Sequence, residues 1–87
     1  MLLQEYDLVA LMDQITSIHK AIQKPIVLKR GQVGTVLMLF NNEACLVDFV
    51  DDRGQTYAME TVPINKLLRL VHEPEFTATH SLVSRSF

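Results

Sequence analysis

Two sets of residues in this chain have the side chains that acid–base or metal chemistry requires. Asp48, Asp51 and Asp52 lie close together, whereas the histidines are dispersed through the sequence. The three histidines are His19, His72 and His80. Paired carboxylates can exchange protons with a substrate or bind a hard cation. The aspartate spacing is better explained by a charged strand end followed by a turn. The dispersed histidines are better explained as side chains exposed to water. We therefore predict no catalytic residue and no metal site.

The only cysteine, Cys45, cannot form a disulfide within the chain. No CxxC or Cys/His pair offers a zinc site, and no phosphate loop, HExxH motif or supported Ser-His-Asp order is present. A cysteine at the start of a strand is most often a small buried side chain. We therefore expect a protein that is not an enzyme, that needs no cofactor and that has no small-molecule substrate.

Length and composition limit the size of the core and the class of protein. The chain has 87 residues, 48% of them hydrophobic and 21% charged, with a formal net charge of −2. A chain this short folds around one core and buries only about 60% of its unfolded surface, which argues against a large cleft. There is no basic segment leading into an apolar stretch, and the longest apolar run, Val33–Phe40, is too short to span a membrane. We expect a soluble, cytoplasmic protein.

Short apolar segments separated by turn residues predict a mainly β protein of about five strands. The predicted strands are Leu8–Met12, Val33–Phe40, Cys45–Val50, Gln55–Thr61 and Leu67–Val71. Strands at this spacing close into a small antiparallel barrel more readily than they form a sandwich. We predict one barrel domain over residues 1–72, with a helical turn at Pro63–Lys66, and a flexible C-terminal tail over residues 73–87.

The segment between the first two predicted strands has a different pattern. Ile15, Ile18 and Ile22 recur at the spacing of one helix face, Asp13 is a plausible N-cap and Pro25 a plausible stop. Isoleucine and threonine are mediocre helix formers, so an irregular loop fits almost as well. We predict a short helical or irregular insertion near residues 13–25, followed by extended chain over residues 26–28.

The stretch from Lys29 to Val36 carries two glycines three residues apart. Gly31 can take a positive φ angle in a turn, and Gly34 allows close backbone approach or a bulge. If Gly34 marks a bulge, Val33 and Val36 can both point inward. This stretch resembles the RGxxGTV turn of SH3-like small barrels, which KOW-type modules share in a looser form.

Further segments narrow the resemblance to one family. They are Tyr6–Leu11, Val47–Asp51, Gly54–Ala58 and Leu67–Leu70. With these, residues 4 to 74 resemble a bacterial family of small uncharacterised proteins, the domain of unknown function family 4926. The resemblance implies an SH3-like barrel. The resemblance also implies an antitoxin-like binder, through an association of this family with neighbouring genes for toxin-like or nuclease-like proteins. The segment 14–26 is longer than the family pattern, and the tail beyond Pro74 departs from it.

The central hairpin has more apolar side chains than one core needs. Alternate residues of a strand face opposite ways. We assign to the interior Val36, Met38 and Phe40 on one strand and Cys45, Val47 and Phe49 on the next. The outer surface then carries, beside Asp48, the apolar residues Leu37, Leu39, Leu46 and Val50. Such a patch favours docking of another protein or of a second copy, unless the segment 13–25 covers it.

Two other places could contact a partner. Lys29 and Arg30, in the turn before Gly31, could dock an acidic or redox partner and make the protein a small accessory subunit of a larger complex. They could also contact nucleic acid, but no aromatic residue accompanies them and the chain is acidic, which disfavours that alternative. Phe76 could order part of the tail on a partner. The leading hypothesis is a non-catalytic protein-binding module, antitoxin-like or immunity-like, that binds a co-encoded effector.

Overall fold

Short strands dominate the structure, a computed structural model that describes residues 2–71. The strands are β1 (Leu8–Leu11), β2 (Ile15–Ile18), β3 (Pro25–Leu28), β4 (Val33–Phe40), β5 (Ala44–Val50), β6 (Thr56–Pro63) and β7 (Leu67–Arg69). The predicted helical turn after Pro63 is present as a 3₁₀ turn over Ile64–Lys66. The predicted tail, with Phe76, lies outside the described residues, as do His72 and His80.

Five of these strands form one antiparallel sheet in the order β6-β5-β4-β1-β7, and β2 and β3 pair as a separate antiparallel hairpin. The three longest strands, β4, β5 and β6, form a meander at one side of the sheet. The order of elements is SH3-like: a first strand, a hairpin, a three-stranded meander, a 3₁₀ turn and a closing strand. The mainly β prediction of five antiparallel strands is confirmed.

The segment near residues 13–25 is a β structure, so the helical alternative was wrong. Ile15 pairs with Leu28 and Ile18 with Pro25 across the β2–β3 hairpin. Ile15 packs against the core, whereas Ile18 and Ile22 are half or more exposed, so the three isoleucines share no common face. The β-branched side chains of this segment favour a pleated strand over a helix, and a partner strand was available in the extended residues that follow.

Side chains from both sheets fill a single core. Its most deeply buried members are Val9, Leu28, Val36, Cys45, Val47, Phe49, Ala58 and Val62. The three β5 residues assigned to the interior are therefore all buried, as predicted. Each hydrophobic side chain of this size contributes about 1.5–3 kcal/mol when it leaves water, so the core is the main source of stability.

The β2–β3 hairpin folds over the inner side of the sheet and meets the edge strand β6. The Lys20 amide donates to the Tyr57 carbonyl at 2.9 Å, and the Ser17 hydroxyl donates to the Glu60 carboxylate at 2.5 Å. The His19 ring stacks on the Tyr57 ring with centroids 5.9 Å apart. These contacts close the barrel on the side where β6 would otherwise be an open edge.

Gly31 takes the positive φ angle that the sequence predicted, and Gly34 allows the predicted close backbone approach but does not mark a bulge. Gly31 and Gly54 have positive φ angles of 90° and 81°. Gly34 lies so close to β5 that a Cβ atom there would be 2.5 Å from Val47 Cγ1. The sheet bulges further along β4, after Val36, and not at Gly34. The condition under which Val33 would point inward is therefore not met, and Val33 is 47% exposed.

Within residues 2–71, the structure contains no helix with the length and apolar character needed to cross a membrane.

Candidate protein-binding surface

A bulge in β4 determines which of its side chains face outward. Val36 pairs with Val47 and Met38 pairs with Leu46, so Leu37 is an extra residue between them. Beyond the bulge, Leu39 pairs with the buried Cys45 and packs against the core. A single extra residue reverses the alternation of every later side chain in the strand.

The bulge corrects the predicted orientations in β4. Met38 and Phe40, predicted to be buried, are 48% and 39% exposed. Leu39, predicted to point outward, belongs to the interior, and Leu37 is half-buried. All four of these residues are apolar, so the sequence offers no polar position that could mark the outer face.

Three rows of paired residues make up the outer face of the β4–β5–β6 meander, because residues opposite each other in an antiparallel sheet share a face. The rows are Thr35–Asp48–Met59, Met38–Leu46–Thr61 and Phe40–Ala44–Pro63. We call this surface the meander face. The predicted outward residues Leu46 and Val50 do lie on the outer side of β5, half-buried and 43% exposed respectively.

The meander face is almost free of charge. Of its nine residues only Asp48 is ionisable, and its carboxylate accepts a hydrogen bond of 2.7 Å from the Thr56 hydroxyl. Met38 and Met59 are 48% and 36% exposed. Methionine side chains are flexible and polarizable and adapt to differently shaped partners. An uncharged strip with two exposed methionines has the chemistry of a protein contact.

Acidic turns lie at both ends of the meander face. Glu43 is in the β4–β5 turn, and Asp51 and Asp52 are at the β5–β6 turn together with Arg53. The Asp51 carboxylate accepts hydrogen bonds from the Gln55 amide at 3.0 Å and the Arg53 amide at 2.9 Å. These bonds, the one from Gln55 first, hold the pKa of Asp51 below its ordinary value. The rim of the face is therefore negatively charged at neutral pH.

The basic pair from the sequence lies elsewhere. Lys29 and Arg30 are exposed in the turn between β3 and β4, which joins the end of β1 through a 2.7 Å hydrogen bond from Gly31 to Leu11. The Lys66 ammonium, at 2.7 Å, lowers the pKa of Asp13, and the nearby Arg30 adds a smaller effect in the same direction. The pair thus adjoins β1 and does not belong to the meander face.

Cys45 and His19, two of the residues considered for chemistry, have structural roles in the fold. Cys45 is buried, and burial raises the pKa of its thiol. His19 Nδ1 accepts hydrogen bonds from the Ala21 and Ile22 amides at 3.1 and 3.4 Å, so this nitrogen closes a turn. Among residues 2–71, no group of three or more His, Cys, Asp or Glu side chains could hold a metal ion.

Met38, Phe40 and Met59 are the surface residues that the sequence argument missed. Met59 could have been predicted to face outward, because side chains in the segment Gln55–Thr61 alternate between the two faces and its neighbour Ala58 faces the core. The other two could not, since no polar residue follows Val36 before the turn at Asn41.

Comparison with known proteins gives one match. Searches of curated proteins and of solved structures each returned nothing. A family model described as Domain of unknown function (DUF4926) matches residues 5–69, which include all of β1 to β7 and the whole meander face. Since this match spans well over half of the 87 residues, the chain belongs to the DUF4926 family.

Proposed function

We propose that this chain is a non-catalytic protein-binding module that docks a partner on the meander face. The observation that carries the proposal is a three-stranded outer surface with one charged residue and exposed Met38, Phe40 and Met59. When one face of an antiparallel sheet is turned to water, the residues on that face are usually polar. Here the apolar character continues through the outer side, and the β2–β3 hairpin packs on the opposite side of the sheet.

The meander face can supply part of the affinity of a complex. Met38, Phe40 and Met59 on the face, and Val50 beside it, are each 36–48% exposed. Burying a whole side chain of this type is worth about 1.5–3 kcal/mol, so covering these four contributes roughly 2–5 kcal/mol. A micromolar complex requires about 8 kcal/mol. Further contacts at the border of the face must supply the rest.

The family resemblance supports a partner class. We propose that the partner is an effector encoded beside this chain, which the module masks in the manner of an antitoxin or immunity protein. The direct test is to express the chain with the product of the adjacent gene and to measure the affinity of the purified pair by calorimetry.

Met38→Asp should weaken that complex by at least about 30-fold, since a carboxylate would be buried against an apolar partner. Ile22→Asp is the matched control, because Ile22 is 57% exposed in the β2–β3 turn, away from the face. Equal affinity of the Met38 variant and the wild type would contradict the assignment of the face. The absence of any complex with the wild-type chain would contradict the proposed function.

The alternative is an accessory subunit that docks through Lys29 and Arg30. A double change of these residues to glutamate separates the two proposals. It leaves affinity unchanged if the partner sits on the meander face, and it abolishes binding if the turn is the dock.

A further inference from the structure

Tyr6 has a backbone conformation that is unusual for a residue of its kind. Its φ angle is 71°, in the left-handed region that L-residues with a Cβ atom avoid. The Asp7 amide donates to the Gln4 carbonyl at 3.1 Å, which makes Gln4–Asp7 a β-turn with Tyr6 in third position. A positive φ angle at that position alone defines a type II turn, where glycine is the preferred residue.

A second motif also favours glycine at this position. The Tyr6 amide donates to the Val36 carbonyl at 2.7 Å, and the Val36 amide donates to the Asp7 carbonyl at 2.9 Å. Tyr6 and Asp7 therefore lie opposite the single residue Val36 of β4, and Tyr6, the first of the two, is in the left-handed region. This is the G1 bulge, whose first residue is characteristically glycine. The sequence places a tyrosine where both the turn and the bulge favour glycine.

Burial of the Tyr6 side chain does not offset this strain. The Tyr6 side chain is 73% exposed, so it gains little from burial in the free protein. The turn around it is nevertheless well fixed, because the Gln4 amide donates to the Asp7 carboxylate at 2.9 Å and Arg69 contacts the same carboxylate at 3.2 Å. An exposed aromatic side chain on a strained and well-fixed backbone indicates a function outside the free molecule.

Tyr6 also lies at the border of the meander face. Its amide is bonded to Val36, the residue at which β4 bulges and after which Met38 turns outward. Tyrosine is enriched among the few interface residues that carry most of the binding energy, since its large ring loses little freedom when it is fixed. We infer that Tyr6 is the aromatic anchor of the partner complex and inserts into an apolar pocket of the partner.

The charges nearby define the chemistry of that partner. Glu5 precedes Tyr6, the charge of Asp7 is paired with Arg69, and acidic turns lie at both ends of the meander face. The fitting occupant is a different protein whose apolar pocket is bordered by lysine or arginine. A second copy of this chain fits poorly, because a two-fold contact would bring acidic rims together.

This inference rests on the proposed function, and one set of variants separates the two. Tyr6→Gly should raise the melting temperature of the free chain by roughly 4 °C, because it relieves the left-handed strain. The same change should weaken binding to the adjacent gene product by at least about 30-fold. Tyr6→Phe, which keeps the ring, should resemble the wild type in melting temperature and stay within about threefold of it in affinity.

Gln23→Gly is the matched control. Gln23 also has a positive φ angle, 57°, but lies in the β2–β3 turn. This variant should bind as the wild type does, and it should gain less thermal stability than Tyr6→Gly, because it also loses the 2.7 Å hydrogen bond from Gln23 Nε2 to the Lys20 carbonyl. A Tyr6→Gly chain that binds with unchanged affinity, or that melts at a lower temperature, would overturn the anchor while leaving the proposed function intact. If the wild type forms no complex, the proposed function fails. If the free chain is a dimer that Tyr6→Gly dissociates, the occupant is a second copy and the assignment of a basic partner is wrong.

Discussion

Replacing Gly34 with alanine should destabilise the fold through a clash that the surroundings cannot relieve. The added Cβ atom would lie 2.5 Å from Val47 Cγ1 and 3.0 Å from the Asp48 carbonyl oxygen. Val47 is fully buried in the centre of β5, and the carbonyl belongs to the strand backbone. Strand β4 must therefore move away from β5, at a cost of about 2–3 kcal/mol, as for other over-packed cores.

That loss is a large share of the total. A domain of this size is stable by roughly 4–10 kcal/mol. With a urea dependence of about 1 kcal/mol per molar, the midpoint of unfolding should fall by roughly 2–3 M. Urea titrations followed by circular dichroism measure the midpoint and the slope together, and an unchanged slope would show that only stability has changed.

Gly31→Ala provides the comparison. A Cβ atom at Gly31 meets nothing within 4 Å, but the φ angle there is +90°. Its cost is that of the backbone conformation alone, about 1 kcal/mol. If Gly34→Ala were no more destabilising than Gly31→Ala, the close approach of β4 and β5 would not be the reason for the glycine, and the packing argument would be refuted.

Three further outcomes are expected. Leu39→Asp should cost at least about 3 kcal/mol because it buries a carboxylate, whereas Met38→Asp should change the free energy of unfolding by less than about 1 kcal/mol; equal effects in urea titrations would refute the bulge. The pKa of Asp51 is lower in the folded chain than its ordinary value of 3.8, so its contribution to stability is complete above that pH and disappears as the pH falls through the folded value. In Asp51→Asn the melting temperature should therefore fall less steeply as the pH is lowered below about pH 4. A fall as steep as that of the wild type would contradict this. Cys45 should react with a thiol reagent only when urea unfolds the chain, since burial both shields the thiol and raises its pKa; complete labelling within minutes in buffer would argue against a closed core.

The sequence predicted the fold wherever polar and apolar residues alternate. In β5, Asp48 between Val47 and Phe49 marks the two faces, and the assignment of Val47 and Phe49 to the core was confirmed. The positive φ angle of Gly31 was also predicted correctly, because it is a local property of a tight turn that a glycine residue indicates.

The candidate surface was harder to predict, for physical reasons. Leu37 to Phe40 contains only apolar residues, so no side chain indicates where the extra residue of the bulge lies. Ile15 and Ile18 fit a helix as well as a strand, and the decision came from a pairing with Leu28 that is distant in sequence. Tyr6 shows no glycine or asparagine signal for its left-handed conformation, and its backbone hydrogen bond is to Val36, which is distant in sequence.

The bulge in β4 also means that the strand can change length without changing its faces. If Leu37 were deleted, Val36 would still point inward, Met38 outward and Leu39 inward, and the pairing with β5 would continue without interruption. Insertions and deletions usually accumulate in turns, but here the middle of a strand can absorb one. When relatives of this chain are aligned, a one-residue gap is to be expected beside Leu37, and forcing it into the turn at Asn41 would misassign core and surface in the whole second half of the strand.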